Sequence, residues 1–412
     1  MSGTVTEVDI VIVGCGAAGI ATSIFAAQRR PGKSIMLLDG AEKIGAKILM
    51  SGGGRCNVAN RNASASDYHG GSSIFIRHVL QAFPVDKTIR FFRDAGADLH
   101  EESDGKLFPA TNQSRTVLNA LVRRMNDIGI RLCPRHRVVE VIRKGGGFQI
   151  KTSAGIIAAP RIVLATGGMS YPQTGSDGSG YRIARSLGHG LIPPVPALVP
   201  LVLEGTRHRQ LAGISQEIVL TLKRDGRGAA QFRGPMLWTH FGISGPAVLN
   251  MSGIWHRTKL GDSTARLQAN FLPDDDFTSA ELRLLNLAST HGRPSLQSVL
   301  SQFLPARVSR VLLQQMELDG QGCTSHLSRA DRRRLLHSLL ECELPVSGSR
   351  GYAEAEVTAG GVPLDEINPT TMESRICSGL HFAGEILDVD GRIGGFNFQW
   401  AWSSAWVAAS AL

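Results

Sequence analysis

The chain has 412 residues, 42% hydrophobic and 19% charged, with a net charge of +9 and a pI near 9.5. That length accommodates two or three domains of an ordinary globular composition, and no run approaches the length of a membrane span. The six scattered cysteines form no C-x-x-C, the twelve histidines form no H-x-x-x-H pair in ligand context, and the N-terminus carries no signal-peptide pattern, so a reduced, cytoplasmic protein without a metal site is expected.

The first predicted element is a short apolar strand, Ile10–Val13, which runs into Gly14, Gly16 and Gly19 in G-x-G-x-x-G spacing, with Ala17 and Ala18 between. A helix is expected from Ile20 to about Arg30, closed by Pro31-Gly32. A second strand, Ile35–Leu38, ends at Asp39, twenty residues past Gly19. Each part has a physical task in holding a dinucleotide. Gly14 permits the tight turn, Gly16 lets backbone N–H groups approach a pyrophosphate, and Gly19 lets helix and strand pack closely. The helix N-terminus favours the anion, and Asp39 can accept hydrogen bonds from a ribose.

Next comes a turn at Ser51–Asn57 with three consecutive glycines, Gly52, Gly53 and Gly54. Such backbone approaches a ligand closely and donates several N–H groups. Arg55 can neutralise a phosphate, and Cys56 completes the turn as a small residue. Ala46 stands where a phosphate-loop lysine would belong. Residues 74–133 read as mainly helical. Arg137–Ile142, Phe148–Thr152 and Gly155–Ala158 read as a three-strand meander, and Arg161–Leu164 as a strand ending in Ala165-Thr166-Gly167-Gly168.

The prolines at 193, 194, 196 and 200 mark a boundary. Strand-like alternation follows over 198–270, then helical periodicity over 278–345, where Leu296, Val299, Leu300 and Phe303 share a face and Pro305 can begin the next helix. The basic cluster Arg329, Arg332, Arg333 and Arg334 reads as a solvated helix face. After about 346 the glycine-rich style returns. The fold expected is therefore α/β: a Rossmann-like domain of 1–192 and 347–412, interrupted by an insert of 193–346. The insert would be β-rich over 193–277 and helical over 278–346. The apolar segment Phe396–Leu412 reads as a buried helix.

These blocks together resemble a flavoprotein family that includes aminoacetone oxidase-like and bile-acid enone reductase-like enzymes, distantly related to the fumarate reductase flavoprotein subunit. The likeness covers nearly the whole chain. It rests on Gly14–Gly19, Ser51–Asn57, Ala165–Gly168, Thr239–Pro246, Thr358–Gly361 and Gly384–Trp402. The resemblance implies FAD and an insert capping the flavin. It adds Lys47, Val138, Gly384, Glu385 and Asp388 to the cofactor contacts, with Asp388 near the ribityl–phosphate part. Gly394-Gly395 would let the final helix, beginning at Phe396, aim its N-terminal dipole at the flavin pyrimidine ring. Asn397 and Gln399 would add side-chain hydrogen bonds. Core packing is the expected role of Phe396, Trp400, Trp402 and Trp406.

The function expected is that of an FAD-dependent oxidoreductase acting on a small organic molecule, by amine oxidation or by reduction of an activated double bond, with hydride passing through flavin N5. Alternatives are an RNA-modifying flavoprotein and a non-catalytic flavin-bound redox or interaction protein. Arginines spread over all segments, rather than a basic stripe, speak against a nucleic-acid partner. Gly178-Ser179-Gly180 lacks the strand and distal acid of a second fingerprint, so NAD(P)H would be a transient co-substrate. Tyr171 and His240 are candidate acid/base groups, but no catalytic residue is assigned.

Overall fold

Ile10–Val13 is buried at all four positions, as a strand must be when both faces of its sheet are covered. In the computed structural model, which describes residues 5–225, 227–289 and 294–412, this strand is the centre of a parallel sheet. The strand order is Leu380–Phe382, Arg161–Leu164, Ile10–Val13, Ile35–Leu38, Arg131–Cys133. Ile12 lies between Val163 on one neighbour and Leu37 on the other. The strands predicted at 10–13, 35–38 and 161–164 stand where the apolar runs placed them.

The helix after the first strand spans Ala17–Arg29, three residues earlier than expected. Gly19 lies inside its first turn, where a Cβ would come within 1.8 Å of the Gly14 carbonyl oxygen. The final helix, Phe396–Ala411, packs along it and is buried on nearly every face. Trp400 and Trp402 are among the largest fully buried side chains, and Phe396 is buried too. Trp406 sits at the margin of this core, with the Arg29 guanidinium 3.8 Å above its ring.

The meander is present as Val138–Lys144, Gly147–Thr152 and Gly155–Ala159, extended by Thr6–Glu7 in parallel. The 74–133 stretch is less helical than expected. Helices Ser73–Ala82, Val85–Asp94 and Ser114–Asp127 alternate with strands Leu99–Glu101 and Lys106–Pro109, which pair in one small sheet with Ala59–Asn60.

The chain divides into two compact units, one reaching Pro196 and resuming at Glu356–Leu412, the other Ala197–Ala355. The second unit is built on a seven-stranded sheet whose pairings are antiparallel. Its longest strands, Ser215–Arg224 and Arg227–Trp238, form a hairpin. The helix Pro246–Gly261 interrupts the stretch expected to be all strand. Helices Phe277–Ala288, Leu296–Leu300, Ala306–Gln315 and Arg329–Leu340 occupy the expected helical stretch. This unit has its own core, including Leu220, Met251, Leu267, Val299, Leu312 and Leu335. The architecture is a Rossmann-like α/β domain carrying an inserted unit of strands and helices. No helix among the described residues is long and apolar enough to cross a membrane.

Candidate cofactor site

At the carboxyl end of the central strand, Gly14 has φ +105°, and a Cβ there would lie 2.5 Å from the Ala165 carbonyl oxygen. Only glycine fits. Gly16 is the N-cap of the first helix, with no side chain capping it and no acidic residue in the first turn, at Ala17 and Ala18. A Cβ on Gly16 would meet nothing within 4 Å. The helix therefore presents its unpaired amides to open space, as anion binding requires. Asp39 is committed to the same loop: its carboxylate accepts from Cys15 N at 2.7 Å and from Ala41 N at 2.8 Å.

In the second glycine turn, Gly52, Gly53 and Gly54 have φ of 57°, 65° and 85°, and Cys56 follows at 61°. Gly53 and Gly54 face open space. Ser51 donates back to the Ile48 carbonyl at 2.8 Å. Cys56 is wholly buried, and burial pushes its thiol up to about 12, so it serves the turn as a neutral small residue. Asn57 is buried, and its Oδ1 has no partner among the described residues. Arg55 departs from its expected role. Its guanidinium is paired with Glu102, bonds Asn112 at 3.2 Å and lies 3.9 Å over the Phe108 ring, so its charge is already matched.

Lys47 enters a network that the sequence reading did not foresee. Its ammonium lies 2.6 Å from Glu385 Oε2 and donates to the Ser170 hydroxyl at 2.5 Å. Glu385 Oε1 accepts from Thr358 N at 2.9 Å and lies 3.0 Å from Ser170 Oγ. Thr358 Oγ1 accepts in turn from Met169 N and Ser170 N. Nearby, Glu356 is exposed; desolvation by the protein around its carboxyl holds it above its usual range, and the Lys47 charge pulls the other way. Ala165 N donates to the Val13 carbonyl, which carries the sheet into Thr166, Gly167 and Gly168. Gly168 is fixed by space: a Cβ there would meet Thr358 Oγ1 at 2.3 Å. Val138 is a buried residue opening the meander's first strand.

Along the last block, Gly384 donates to Ser404 Oγ at 2.9 Å and accepts from Trp400 Nε1 at 3.1 Å. Asp388 is buried. Gly394 (φ +120°) accepts from Asn60 Nδ2 at 2.9 Å, and a Cβ on Gly395 would lie 2.4 Å from the Ala59 carbonyl. Gly395 caps the final helix, which again has no side-chain cap and no acid in its first turn. Phe396 accepts at its carbonyl from Tyr68. Asn397 differs from expectation: its amide accepts from Gly391 N at 2.8 Å and donates to Gly391 O at 2.9 Å, closing the preceding loop instead of reaching outward. Gln399 is likewise internal, accepting from Thr88 and donating to the Phe83 carbonyl.

The two acid/base candidates lie in different units. Tyr171, in the first, holds φ +50° before Pro172. His240, in the second, is exposed, and its carbonyl is 3.2 Å from His208 Nε2. The arrangement suits a dinucleotide: two uncapped helix N-termini free of acidic side chains, glycine turns open to approach, and a charge-matched Lys47–Glu385 pair.

Comparison with known proteins agrees. The family described as the HI0933-like protein Rossmann domain matches residues 8–411. A ribosomal RNA dihydrouridine synthase of Escherichia coli is 34% identical over 98% of both chains. A 3-dehydro-bile acid delta(4,6)-reductase of Clostridium scindens is 32% identical, again over 98% of both. A point variant of FrdA of E. coli quinol fumarate reductase has the same fold, with a TM-score of 0.51 at 16% identity over 99% of this chain and 70% of that one. The chain belongs to the HI0933-like Rossmann family of FAD-dependent oxidoreductases.

Proposed function

We propose that this enzyme reduces a carbon–carbon double bond conjugated to a carbonyl. The observation that carries the reading is the chemistry common to the two relatives. Dihydrouridine arises by saturating the C5=C6 bond of uracil, which is conjugated to the C4 carbonyl, and a bile-acid delta(4,6)-reductase saturates bonds conjugated to a ring ketone. Substrates so unlike in shape share only that reacting group.

FAD, held against the uncapped amides at Gly16 and Gly395, would supply hydride to the β-carbon when reduced. The α-carbon then needs a proton. Glu356, exposed beside this network, with its backbone carbonyl accepting from Ser170 Oγ at 3.2 Å and its carboxyl raised above the usual range by desolvation, is the proton source we assign. Lys47, Ser170 and Thr358 hold Glu385 and its loop in place through the bonds already described. NADH or NADPH as co-substrate would supply the one hydride per turnover that the bound flavin passes on.

Anaerobic photometry of the purified holoenzyme tests this. NADH or NADPH should bleach the flavin band, and a 4-en-3-one steroid or a uridine-containing RNA should restore it. Bleaching by aminoacetone, with recovery on oxygen alone, would replace this reading by amine oxidation.

A further inference from the structure

Two strands of the small sheet meet the final helix where that helix begins. Ala59–Asn60 pairs with Lys106–Pro109, and the register sets Asn60 opposite Lys106. Both residues reach the same glycine. Asn60 Nδ2 donates to the Gly394 carbonyl at 2.9 Å and to the Asp104 carbonyl at 3.1 Å. The end of the Lys106 stem lies against Gly394, with its Cε 3.7 Å from where a Cβ would stand. At Gly395 a Cβ would lie 2.4 Å from the Ala59 carbonyl oxygen and 2.7 Å from Asn57 Oδ1.

Three kinds of polar group therefore gather at one place in the first unit. The first is the set of backbone amides that open the 16-residue helix Phe396–Ala411, with no side-chain cap from Gly395. The second is Asn57 Oδ1. Asn57 is only 9% exposed, and this oxygen has no partner among the described residues, a state that buried acceptors rarely keep. The third is the Lys106 ammonium. Its acid, Asp104, lies 3.3 Å away and is 80% exposed, and a surface pair of that kind holds an ammonium only weakly.

Donors, an acceptor and a cation side by side define the ligand that fits them. A diphosphate offers acceptors and no donor at these pH values. Ribose, ribityl and adenine groups carry no charge. Among the parts of FAD, only the pyrimidine edge of the flavin sets a carbonyl acceptor beside an N–H donor, and that edge gains negative charge when the ring is reduced.

We propose that Asn57 and Lys106 read this edge. Asn57 Oδ1 accepts from flavin N3–H, and the Lys106 ammonium faces the N1–C2=O side, where it adds to the helix amides. Asn57 thus selects and orients the ring, and Lys106 raises its reduction potential. The proposal rests on the family's flavin and not on the double-bond reading above.

The test uses the full chain, stripped of flavin and titrated with FAD or with FAD methylated at N3. Wild type should bind the methylated form about tenfold more weakly or worse, because it leaves Asn57 Oδ1 without a donor. Asn57→Ala removes the acceptor and makes room for the methyl group, so its two dissociation constants should agree within about twofold. Equal binding of both flavins by wild type would overturn the Asn57 assignment, and this comparison needs no variant. A tenfold preference that survives in Asn57→Ala would overturn it as well.

A dye-coupled titration reads Lys106. Lys106→Met should lose about tenfold of the preference for reduced over oxidised flavin, which lowers the two-electron potential by about 30 mV. Lys106→Arg should restore the wild-type potential. Lys151→Met, which removes an exposed charge on the meander, should leave it unchanged. An unchanged potential in Lys106→Met, or an equal fall in Lys151→Met, would overturn the Lys106 assignment. None of these measurements involves a substrate. Failure of either assignment is therefore distinct from failure of the double-bond reading.

Discussion

At the scale of single residues, close contact with backbone carbonyls decides where glycine is required. Gly14, Gly19 and Gly395 are required by carbonyl oxygens that a Cβ would strike, and glycine spacing alone announces such places. Lys47 and Glu385 are 338 positions apart, and nothing local to either names the other. The same distance problem hid the Arg55–Glu102 pair and the turn of Asn397 onto Gly391. Three predictions belong here. Glu356→Gln should lower the rate of double-bond reduction about 100-fold, within the usual range for a general acid, with flavin loading unchanged. The proton is available below the Glu356 titration and lost as pH rises through it. Lys47 lowers that titration, so Lys47→Met should carry the alkaline loss of rate to higher pH. A rate–pH profile of both variants decides the matter, and an unmoved limb in Lys47→Met would remove Glu356 from the assignment. Asn397→Leu removes the two bonds to Gly391 and should cost about 1–3 kcal/mol of stability. Its flavin potential should stay near wild type in a dye-coupled titration, whereas a shifted potential in the folded variant would return Asn397 to the flavin.

At the scale of elements, apolar runs identified the buried parallel strands because both faces of that sheet are covered and the runs are unbroken. Three-residue strands such as Leu99–Glu101 are too short to show a period. The helix Pro246–Gly261 carries a helical pattern in its sequence. Ala247, Val248, Met251 and Trp255 recur at helical spacing, and proline opens the first turn. Its glycine and serine content and the strands on either side favoured an alternating reading. The first helix offers a test that separates packing from ligand binding. Gly19→Ala places a methyl group 1.8 Å from the Gly14 carbonyl and should destabilise the protein by about 1–3 kcal/mol or more, as overpacking does. Gly16→Ala meets nothing within 4 Å, and its backbone has φ −85°, open to any residue. That variant should unfold like wild type in urea yet take up FAD more weakly, because its methyl group projects into the space before the helix amides. Equal FAD affinity in Gly16→Ala would place the pyrophosphate elsewhere.

At the scale of the whole molecule, the two units carry separate cores and a parallel acid sensitivity. Each holds a histidine whose titration is pushed down to about 4, the buried His381 in the first unit and the half-buried His256 in the second. Burial is the leading cause for both. His256 lies 2.8 Å from Ser349, and neither ring nitrogen of His381 has a partner among the described residues. The ordinary histidine value is 6.5, so the unfolded chain takes up protons below that pH while the folded chain does not. Stability is therefore full above about pH 6.5 and falls as pH drops toward 4, by at most about 2 kcal/mol per histidine at pH 5. The Asp9 carboxylate, held down to about 2 by Lys33 and Ser34, titrates below this window. Urea unfolding at pH 7 and pH 5, followed by tryptophan fluorescence, reads both units, because Trp400, Trp402 and Trp406 lie in the first and Trp238 and Trp255 in the second. His381→Leu removes the titrating ring and should shrink the pH-dependent loss in the first unit alone. His256→Gln should do the same in the second. A loss between pH 7 and pH 5 as large in both variants as in wild type would assign the acid sensitivity to other groups. A loss shrunk in both transitions by either single change would show that the units unfold as one cooperative body.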